Sequence, residues 1–337
     1  MFINKETIER AKQYLRKVPG LMLFYGTLKL IKSLHKTGNF RFVYRIKPGD
    51  YYSPLPDYKA TLARSEILFK QDEAKCLGID LKEEAQLKLL ENFAEYYGNI
   101  PFSIQPGENT RYYENTWFNY ADAIILYSVM RHYEPARVIE VGSGFSSAAM
   151  LDVNDLFLQN TVDFTFIEPD PQRLFSLLKP EDKNRHTVVP NEVQDVPLAV
   201  FRTSNVNDIL FVDSSHVVKV GSDVAHILFN VLPNLNPGVI VHFHDIFWPF
   251  EYPKDWITLG RAWNESYFLR SFLQYNDAFE ILFFNSFVAK RHPDLLREKM
   301  PMYLREVRAD HRHIYPDEQH RSLLVSRPCS LWLKKVI

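Results

Sequence analysis

The sequence predicts an α/β protein, built on a doubly wound and mostly parallel sheet that ends in an antiparallel hairpin. Three observations carry this prediction. From residue 111 onward, short apolar runs alternate with helical patterns, which favours a parallel sheet covered on both faces. A Gly-x-Gly turn at residues 142–144 joins the first of these runs to a helix. Two apolar runs near the C-terminus, at 278–288 and 330–337, lack a recognisable crossover helix between them and predict the antiparallel pair.

Length and composition limit the class of protein. The chain has 337 residues, 46% hydrophobic and 24% charged, which is the balance of a globular protein of about two domains. The net charge is −1, so we expect neither nucleic acid nor an anionic membrane as partner. Only two cysteines, Cys76 and Cys329, favour a reducing compartment and predict a cytoplasmic location. The longest early apolar run, 21–34, is interrupted by lysines and is too short to span a bilayer.

Residues 1–110 show no strand–helix alternation, and we predict that they form a helical N-terminal extension or cap before a second domain at 111–337. The helical patterns lie at residues 3–17, 21–36 and 81–97. Proline- and glycine-containing segments at 47–58 and 100–110 predict loops. The sequence leaves the oligomeric state open, with a homo-oligomer as one option.

The second domain follows the α/β pattern element by element. Apolar runs bounded by polar or turn residues predict five strands, at 137–141, 164–167, 186–189, 209–212 and 239–243. Helical patterns precede, separate or follow them at 121–132, from about 146, at 172–178 and at 222–232. An Asn-Pro-Gly turn at 236–238 introduces the fifth strand.

The first chemical signal is the strand–turn–helix at residues 138–147, where Gly142 and Gly144 flank a serine. Glycines let the backbone approach a ligand closely, and the helix N-terminus favours negative charge. The dinucleotide fingerprint requires a third glycine or alanine where this chain has Ser147, so a pyrophosphate ligand is less favoured. Glu140 comes two residues before the first glycine, and an acid there suits a cationic ligand group such as an ammonium.

The second chemical signal is Glu168, which directly follows the strand at 164–167. Its distance along the chain from Gly142 is close to the spacing at which an acid binds the ribose hydroxyls of a nucleotide. A carboxylate suits this task because it accepts hydrogen bonds from two adjacent hydroxyls. The alternative for both Glu140 and Glu168 is a solvated residue at a strand end.

The run at 139–144, followed by Ile167 and Glu168, resembles motifs I and II of class I S-adenosylmethionine-dependent methyltransferases. The resemblance covers about 111–337. Segments 208–216 and 241–247 resemble a bacterial branch of small-molecule O-methyltransferases within that class. The resemblance implies a Rossmann-like, seven-stranded sheet whose last hairpin is antiparallel, in agreement with the apolar runs at the C-terminus.

The same resemblance implies where S-adenosylmethionine binds. Glu140 and the glycine turn would hold its methionine end, Glu168 its ribose, and the region around Glu192 and Val193 its adenine. The implied cofactor residues are Glu140, Gly142, Ser143, Gly144, Phe145, Ser146, Glu168, Glu192, Val193 and Asp213.

Asp213 ends the fourth predicted strand and Asp245 the fifth, so both carboxylates are expected at the same edge of the sheet. Two carboxylates there can hold Mg²⁺, which prefers oxygen ligands and would lower the pKa of a substrate hydroxyl. His216 could take the proton. The spacing Asp213…His216 resembles that of metal-dependent sugar O-methyltransferases acting on macrolides. Capping of helices or turns is the alternative role of the two acids.

One departure from the family pattern concerns Ile246. Catechol-type O-methyltransferases have Asn or Asp directly after the second metal-binding acid, so a third ligand is missing here. His244 could substitute, or the enzyme could be metal-free, with His216 or His244 as base and the acids orienting it. His242 is expected to be a core histidine.

We therefore predict an S-adenosylmethionine-dependent O-methyltransferase acting on a hydroxylated small molecule, sugar or glycan precursor. Aromatic residues at 248–253 are expected to form part of the acceptor pocket, or simply to pack in a loop. Two other functions stay open at this point. One is a nicotinamide-dependent, sugar-modifying oxidoreductase, and the other is a degenerate methyltransferase fold that serves as a binding module.

Overall fold

The computed structural model describes residues 46, 49–70, 76–103, 107, 110–304 and 327–337. The chain divides into two compact units, Met1–Arg64 and Ser65–Ile337. The described part of the first unit contains helix α1 (Tyr58–Ala63), which begins after Asp57; the Asp57 side chain accepts a hydrogen bond from the N–H of Ala60. Such a cap satisfies one of the free N–H groups of the first helical turn.

The second unit contains a seven-stranded sheet in the order β3-β2-β1-β4-β5-β7-β6. The strands are β1 (Arg137–Val141), β2 (Asp163–Ile167), β3 (Thr187–Val189), β4 (Ile209–Val212), β5 (Ile240–Phe243), β6 (Phe279–Phe284) and β7 (Leu331–Lys335). Strands β1 to β5 are parallel, and β7 pairs antiparallel with both β5 and β6. The predicted fold class is confirmed, including the antiparallel C-terminal pair.

Helices cover the sheet and connect its strands. The described α-helices of this unit are α2 (Ser65–Leu68), α3 (Glu83–Ala94), α4 (Tyr120–Tyr133), α5 (Phe145–Phe157), α6 (Gln172–Leu177), α7 (Asp182–Arg185), α8 (Asp223–His226), α9 (Lys254–Thr258), α10 (Glu265–Leu273), α11 (Asn285–Arg291) and α12 (Pro293–Lys299). The helix expected at 222–232 is present, but α8 continues as a π-helix and then a 3₁₀ helix that contains Pro233. Among the described residues, no helix has the length and apolar character needed to cross a bilayer.

The region between β6 and β7 differs from the prediction. The apolar run at 278–288 was expected to be strand throughout, but β6 ends at Phe284 and the chain continues as α11 and α12. Phe287 and Val288 are buried on α11. A short apolar run fits a buried strand and a buried helix equally well, which is why periodicity did not separate the two.

The N-terminal part of the second unit packs on the sheet. Helix α3 lies against α4 and β6, and the ring centroids of Phe93 and Phe283 are 5.6 Å apart. Helix α4 is buried along most of its length and precedes β1. The helices predicted at 3–17 and 21–36 lie outside the described residues, and the domain boundary near residue 110 stays a prediction.

Candidate active site

A cavity of about 590 Å³ lies at the carboxyl ends of four neighbouring parallel strands. The residues that directly follow β1, β2, β4 and β5 line it; they are Gly142, Glu168, Asp213 and His244. This edge is where open α/β sheets bind ligands, and the volume is typical of small-molecule sites. The predicted site residues that line the cavity are Gly142, Ser143, Gly144, Phe145, Ser146, Glu168, Asp213, His216, His244 and Asp245.

The turn after β1 depends on Gly142. Its φ of +87° lies in the left-handed region, and a Cβ atom here would lie 1.7 Å from the carbonyl oxygen of Asp213. Glycine is therefore required both for the backbone conformation and for the close approach of two chain segments. The N–H of Gly142 donates to the carbonyl of Ile167 at 3.0 Å, and the N–H of Asp213 donates to the carbonyl of Val141 at 2.9 Å. These bonds fix the turn against the ends of β2 and β4.

Glu168 lies beside this turn, with both carboxylate oxygens held by backbone groups. Oε2 accepts a hydrogen bond from the N–H of Ser143 at 3.1 Å, and Oε1 accepts one from the N–H of Asp170 at 2.9 Å. Each carboxylate oxygen can accept more than one hydrogen bond, so Glu168 retains capacity for a ligand in the cavity. The structure thus brings Glu168 to the glycine turn, as its spacing in the sequence predicts.

Glu140 has a different environment. It is fully buried and does not line the cavity. Its carboxyl accepts a hydrogen bond from Ser146 Oγ at 2.5 Å and another from Ser147 Oγ, both in the first turn of α5. Burial raises the pKa of Glu140 to about 8, although the serine hydroxyls act in the opposite direction. Glu140 therefore stabilises the start of α5, and a direct contact with a ligand ammonium would require its carboxyl to leave these hydroxyls.

Elsewhere along the cavity wall, the side chains of Asp213, His216 and Asp245 converge. His216 Nε2 lies 3.4 Å from Asp213 Oδ1 and 3.5 Å from Asp245 Oδ2. His216 and Asp245 both have positive φ, +59° and +57°, which is uncommon for residues with a side chain. Such backbone conformations cluster at functional sites. The structure brings these three predicted catalytic residues together.

Glu265, which the sequence analysis missed, orients His216. Its Oε2 lies 2.8 Å from His216 Nδ1, and Glu265 is buried in the first turn of α10. Burial alone would lower the pKa of His216, but the hydrogen bonds with Asp213 and Glu265 outweigh burial and raise the pKa to about 10. The imidazole of His216 therefore carries a proton at neutral pH.

His244 lies near the same carboxylates and joins a second group of side chains. Its Nδ1 lies 3.5 Å from Asp213 Oδ1, and its Nε2 lies 3.6 Å from Asp122 Oδ2 and 3.5 Å from Cys329 Sγ. Burial would lower the pKa of His244, but Cys329 and the surrounding carboxylates outweigh it and raise the pKa well above its usual value. Burial would likewise raise the pKa of Asp213, yet His244 and His216 hold it far below its usual range.

An aromatic rim, Phe247, Trp256 and Trp263, lines the cavity next to this cluster. The guanidinium of Arg261 lies 4.5 Å from the ring centroid of Trp256 and 4.8 Å from that of Trp263. The aromatic side chains of 248–253, expected in the acceptor pocket, are buried and do not line the cavity. The rim thus comes from the residue before that segment and from residues after it.

Parts of this chain are similar in sequence to known proteins. A family model described as a methyltransferase domain matches residues 139–246, which contain the glycine turn, Glu168, Asp213 and Asp245. A protein of Archaeoglobus fulgidus, described only as an uncharacterized protein, is 34% identical over 197 residues, or 57% of this chain and 85% of that protein. The family-model match identifies residues 139–246 as a methyltransferase domain.

Solved structures of methyltransferases are similar to this one. An S-adenosylhomocysteine-bound methyltransferase of Podospora anserina has a TM-score of 0.35 and 13% identity, covering 68% of this chain and 92% of that chain. An S-adenosylmethionine-dependent methyltransferase of Thiobacillus denitrificans has a TM-score of 0.36 and 16% identity, covering 72% and 95%. The O-methyltransferase TomG of Streptomyces achromogenes has a TM-score of 0.34 and 14% identity, covering 66% and 86%.

The methyltransferase-domain match decides between the functions that the sequence left open. The protein is a methyltransferase, so the nicotinamide-dependent oxidoreductase and the degenerate binding module are set aside. The glycine turn and Glu168 fit S-adenosylmethionine as the methyl donor, because the turn leaves room for a ligand beside a carboxylate that can accept hydrogen bonds from hydroxyls.

Glu192 and Val193 are not brought to the cavity of the methyltransferase. Val193 is buried and begins a short 3₁₀ helix, whereas Glu192 is exposed and accepts a hydrogen bond from Gln194 Nε2 at 3.3 Å. Their assignment to the adenine rested on the resemblance, and it stays a prediction.

Proposed function

We propose that this methyltransferase transfers the methyl group to a hydroxyl oxygen of a small molecule or sugar. The observation that carries the proposal is the convergence of Asp213, His216 and Asp245 on the wall of the cavity that also holds the glycine turn. Methyl transfer to oxygen requires a hydroxyl that is held in position and deprotonated. A cluster of carboxylates and imidazoles is suited to both tasks.

In this proposal the cofactor lies at the turn formed by residues 142–146. S-Adenosylmethionine supplies an activated methyl group on a sulfonium. Glu168 would accept hydrogen bonds from the ribose hydroxyls, because its two oxygens are already fixed by the N–H groups of Ser143 and Asp170. Glu140 would support the turn from behind, through its bonds with α5.

We also propose that Asp213, Asp245 and His216 hold a divalent cation, with Mg²⁺ and Mn²⁺ as the candidates. One ligand atom from each of the three lies within 4.8 Å of the other two. His216 supplies the third ligand that Ile246 does not provide. Its Nδ1 is bonded to Glu265, as is usual for a histidine that binds metal through its other nitrogen. A cation here would lower the pKa of a bound hydroxyl and orient it.

The metal-free alternative makes His216 or His244 the general base. A general base must be unprotonated to accept a proton. With a pKa of about 10, His216 is protonated at pH 7 in all but about one molecule in a thousand. His244 is shifted in the same direction. The carboxylates around both imidazoles favour positive charge here, and a divalent cation would supply it by displacing the proton of His216.

The aromatic rim supports an acceptor with a ring. Indole faces pack well against aromatic rings and against the apolar faces of sugars. Trp256 and Trp263 line the cavity beside the Asp–His cluster, and the His216 and Trp263 ring centroids are 4.3 Å apart. Within the part of the chain that the structure describes, Arg261 forms no ion pair. Its guanidinium is suited to an anionic or hydroxyl substituent on such an acceptor.

The decisive experiment measures adenosylhomocysteine release with a panel of phenolic and glycosidic hydroxyl acceptors. Asp213→Asn and Asp245→Asn are each expected to lower kcat by roughly 10²-fold or more, with cofactor affinity nearly unchanged. A chelator should lower the kcat of the wild type to a similar extent, and added Mg²⁺ or Mn²⁺ should restore it. Asp277→Asn, at an exposed position away from the cavity, is the matched control.

Two results would overturn these proposals separately. Turnover with amine or thiol acceptors, but none with hydroxyl acceptors, would rule out O-methyltransferase activity. Full hydroxyl methylation in excess chelator would rule out the catalytic cation. The histidine-base hypothesis would then stand, and His216→Ala and His244→Ala would test it.

A further inference from the structure

Behind the proposed cation site, Asp122, His244 and Cys329 form a second group of possible ligands, which we call the thiol site. All three side chains are buried, and His244 and Cys329 also line the cavity. We propose that the thiol site binds a d-block cation of the zinc class, separate from the ion held by Asp213, His216 and Asp245. Thiolate and imidazole are the ligands that such cations prefer, whereas Mg²⁺ prefers oxygen alone.

The spacing of the three ligand atoms fits a tetrahedral ion. Cys329 Sγ lies 3.2 Å from Asp122 Oδ2 and 3.5 Å from His244 Nε2, and Nε2 lies 3.6 Å from Oδ2. Around a zinc ion with bonds of about 2.0–2.3 Å, neighbouring ligand atoms are roughly 3.3–3.6 Å apart. An ion can therefore enter the triangle with little movement of the backbone.

Asp122 is held in an orientation that suits a ligand. Its Oδ1 accepts hydrogen bonds from Asn285 Nδ2 at 2.6 Å and from the N–H groups of Cys329 and Ser330 at 3.1 Å each. Oδ2 faces the thiol and His244, and it is also contacted by the N–H of Cys329 and by the amide of Asn119. Bonds of this kind to the non-ligating oxygen are the support that metal-binding carboxylates usually have.

His244 and Asp245 complete the arrangement. The Nδ1 atom of His244 faces Asp213, which leaves Nε2 as the nitrogen that would bind the ion. Asp245 Oδ1 lies 3.4 Å from Cys329 Sγ, while its Oδ2 faces His216. Asp245 is thus placed between the two sites. Because His244 and Cys329 line the cavity, a fourth ligand of the ion would come from the cavity side. Three protein ligands with one open position are typical of catalytic rather than structural zinc.

The competing interpretation is a hydrogen-bond network in which the neutral thiol donates to Asp122 and no ion binds. The two interpretations differ in the state of the sulfur. Metal binding requires a thiolate bonded to the ion, and the network requires a protonated thiol.

The test is to strip the full-length enzyme of metal and titrate it with Co²⁺. A cobalt–thiolate bond gives an intense charge-transfer absorption in the near ultraviolet, which oxygen and nitrogen ligands do not give. Cys76, also buried, is the only other cysteine of the chain. We expect the band in the wild type and in Cys76→Ser, and its loss in Cys329→Ser, together with at least a tenfold weaker affinity for Zn²⁺. Adenosylhomocysteine binding confirms that each variant is folded.

The outcomes separate this inference from the proposed function. His216→Gln should keep the charge-transfer band even if it abolishes methyl transfer, because His216 is not part of the thiol site. No band in the wild type at saturating Co²⁺ would overturn the inference, as would a band that persists in Cys329→Ser. Should Cys329→Ser fail to fold, Cys76→Ser still decides, because Cys329 is then the single thiol and its band is either present or absent.

Discussion

The two parts of the cavity are built in different ways. The part proposed for the cofactor comes mainly from one stretch, residues 142–146, joined by Glu168, and its shape depends on a backbone turn and on backbone N–H groups. The part proposed for catalysis is assembled from distant positions, and it depends on charged side chains. The residues that line it are Asp213, His216, His244, Asp245 and Cys329, and the buried Asp122 and Glu265 contact them. Substitutions in the cofactor part should therefore change stability and cofactor affinity, whereas charge-removing substitutions in the catalytic part should mainly change rate or metal binding.

The largest effect is expected from Gly142→Ala, compared with Gly221→Ala. Both glycines have a left-handed φ, +87° and +74°, so alanine strains the backbone at either position. Only at Gly142 does the new Cβ meet another atom, 1.7 Å away, whereas nothing lies within 4 Å at Gly221. We expect Gly142→Ala to lower the free energy of unfolding by at least about 3 kcal/mol, against about 1 kcal/mol for Gly221→Ala.

Urea denaturation measures the two free energies, and titration calorimetry measures adenosylhomocysteine binding, which only Gly142→Ala should abolish. Equal losses of stability in the two variants would show that the close approach to Asp213 is not what requires glycine at the turn.

The second effect is a pH dependence that originates at Glu140. Its pKa in the folded protein, about 8, lies above the ordinary value of 4.5, so the folded state binds more protons between these pH values. Stability from this group is fully present below about pH 4.5 and is lost as pH rises to about 8. Glu140→Gln removes this titration, so the unfolding free energy of the variant should fall less steeply with pH, by up to about 1.4 kcal/mol per pH unit.

Urea denaturation at a series of pH values provides the measurement. Glu91→Gln, at an exposed position on α3, should reproduce the wild-type slope. If Glu140→Gln also reproduces it, the carboxyl does not titrate as its burial indicates.

The smallest expected effect is on cofactor affinity, and it distinguishes two acids, Glu168 and Glu192, that the sequence analysis predicted to bind the cofactor. Glu168 lines the cavity beside the turn and Glu192 does not. We expect Glu168→Ala to weaken adenosylhomocysteine binding by about tenfold or more, because ribose hydroxyls lose a charged acceptor. Glu192→Ala should change the affinity less than about twofold, within what a surface substitution usually does. Calorimetric titration tests both, and the reverse order of effects would place the cofactor away from Glu168.

The sequence predictions were also more accurate for one part of the cavity than for the other. The strands, the glycine turn and the positions of Asp213 and Asp245 at strand ends were predicted from short-range patterns, and the structure has them there. The acceptor side was predicted less well, because the aromatic residues of 248–253 turn inward and Trp256 and Trp263 line the cavity instead. Nothing in a local pattern tells which aromatic residues of a loop face a ligand and which pack inside.

The sequence by itself determined the fold class and the turn, because both depend on neighbours along the chain. Alternating apolar runs specify the sheet, and glycine is the residue that most readily accepts the φ of +87° at residue 142. Only the tertiary structure decided that Glu140 faces α5, that Glu265 holds His216, and that Cys329 meets Asp122 and His244. These partners are separated by 49 residues for His216 and Glu265, and by 207 for Asp122 and Cys329. Contacts over such separations depend on how helices and strands pack, and no periodicity in the sequence records them.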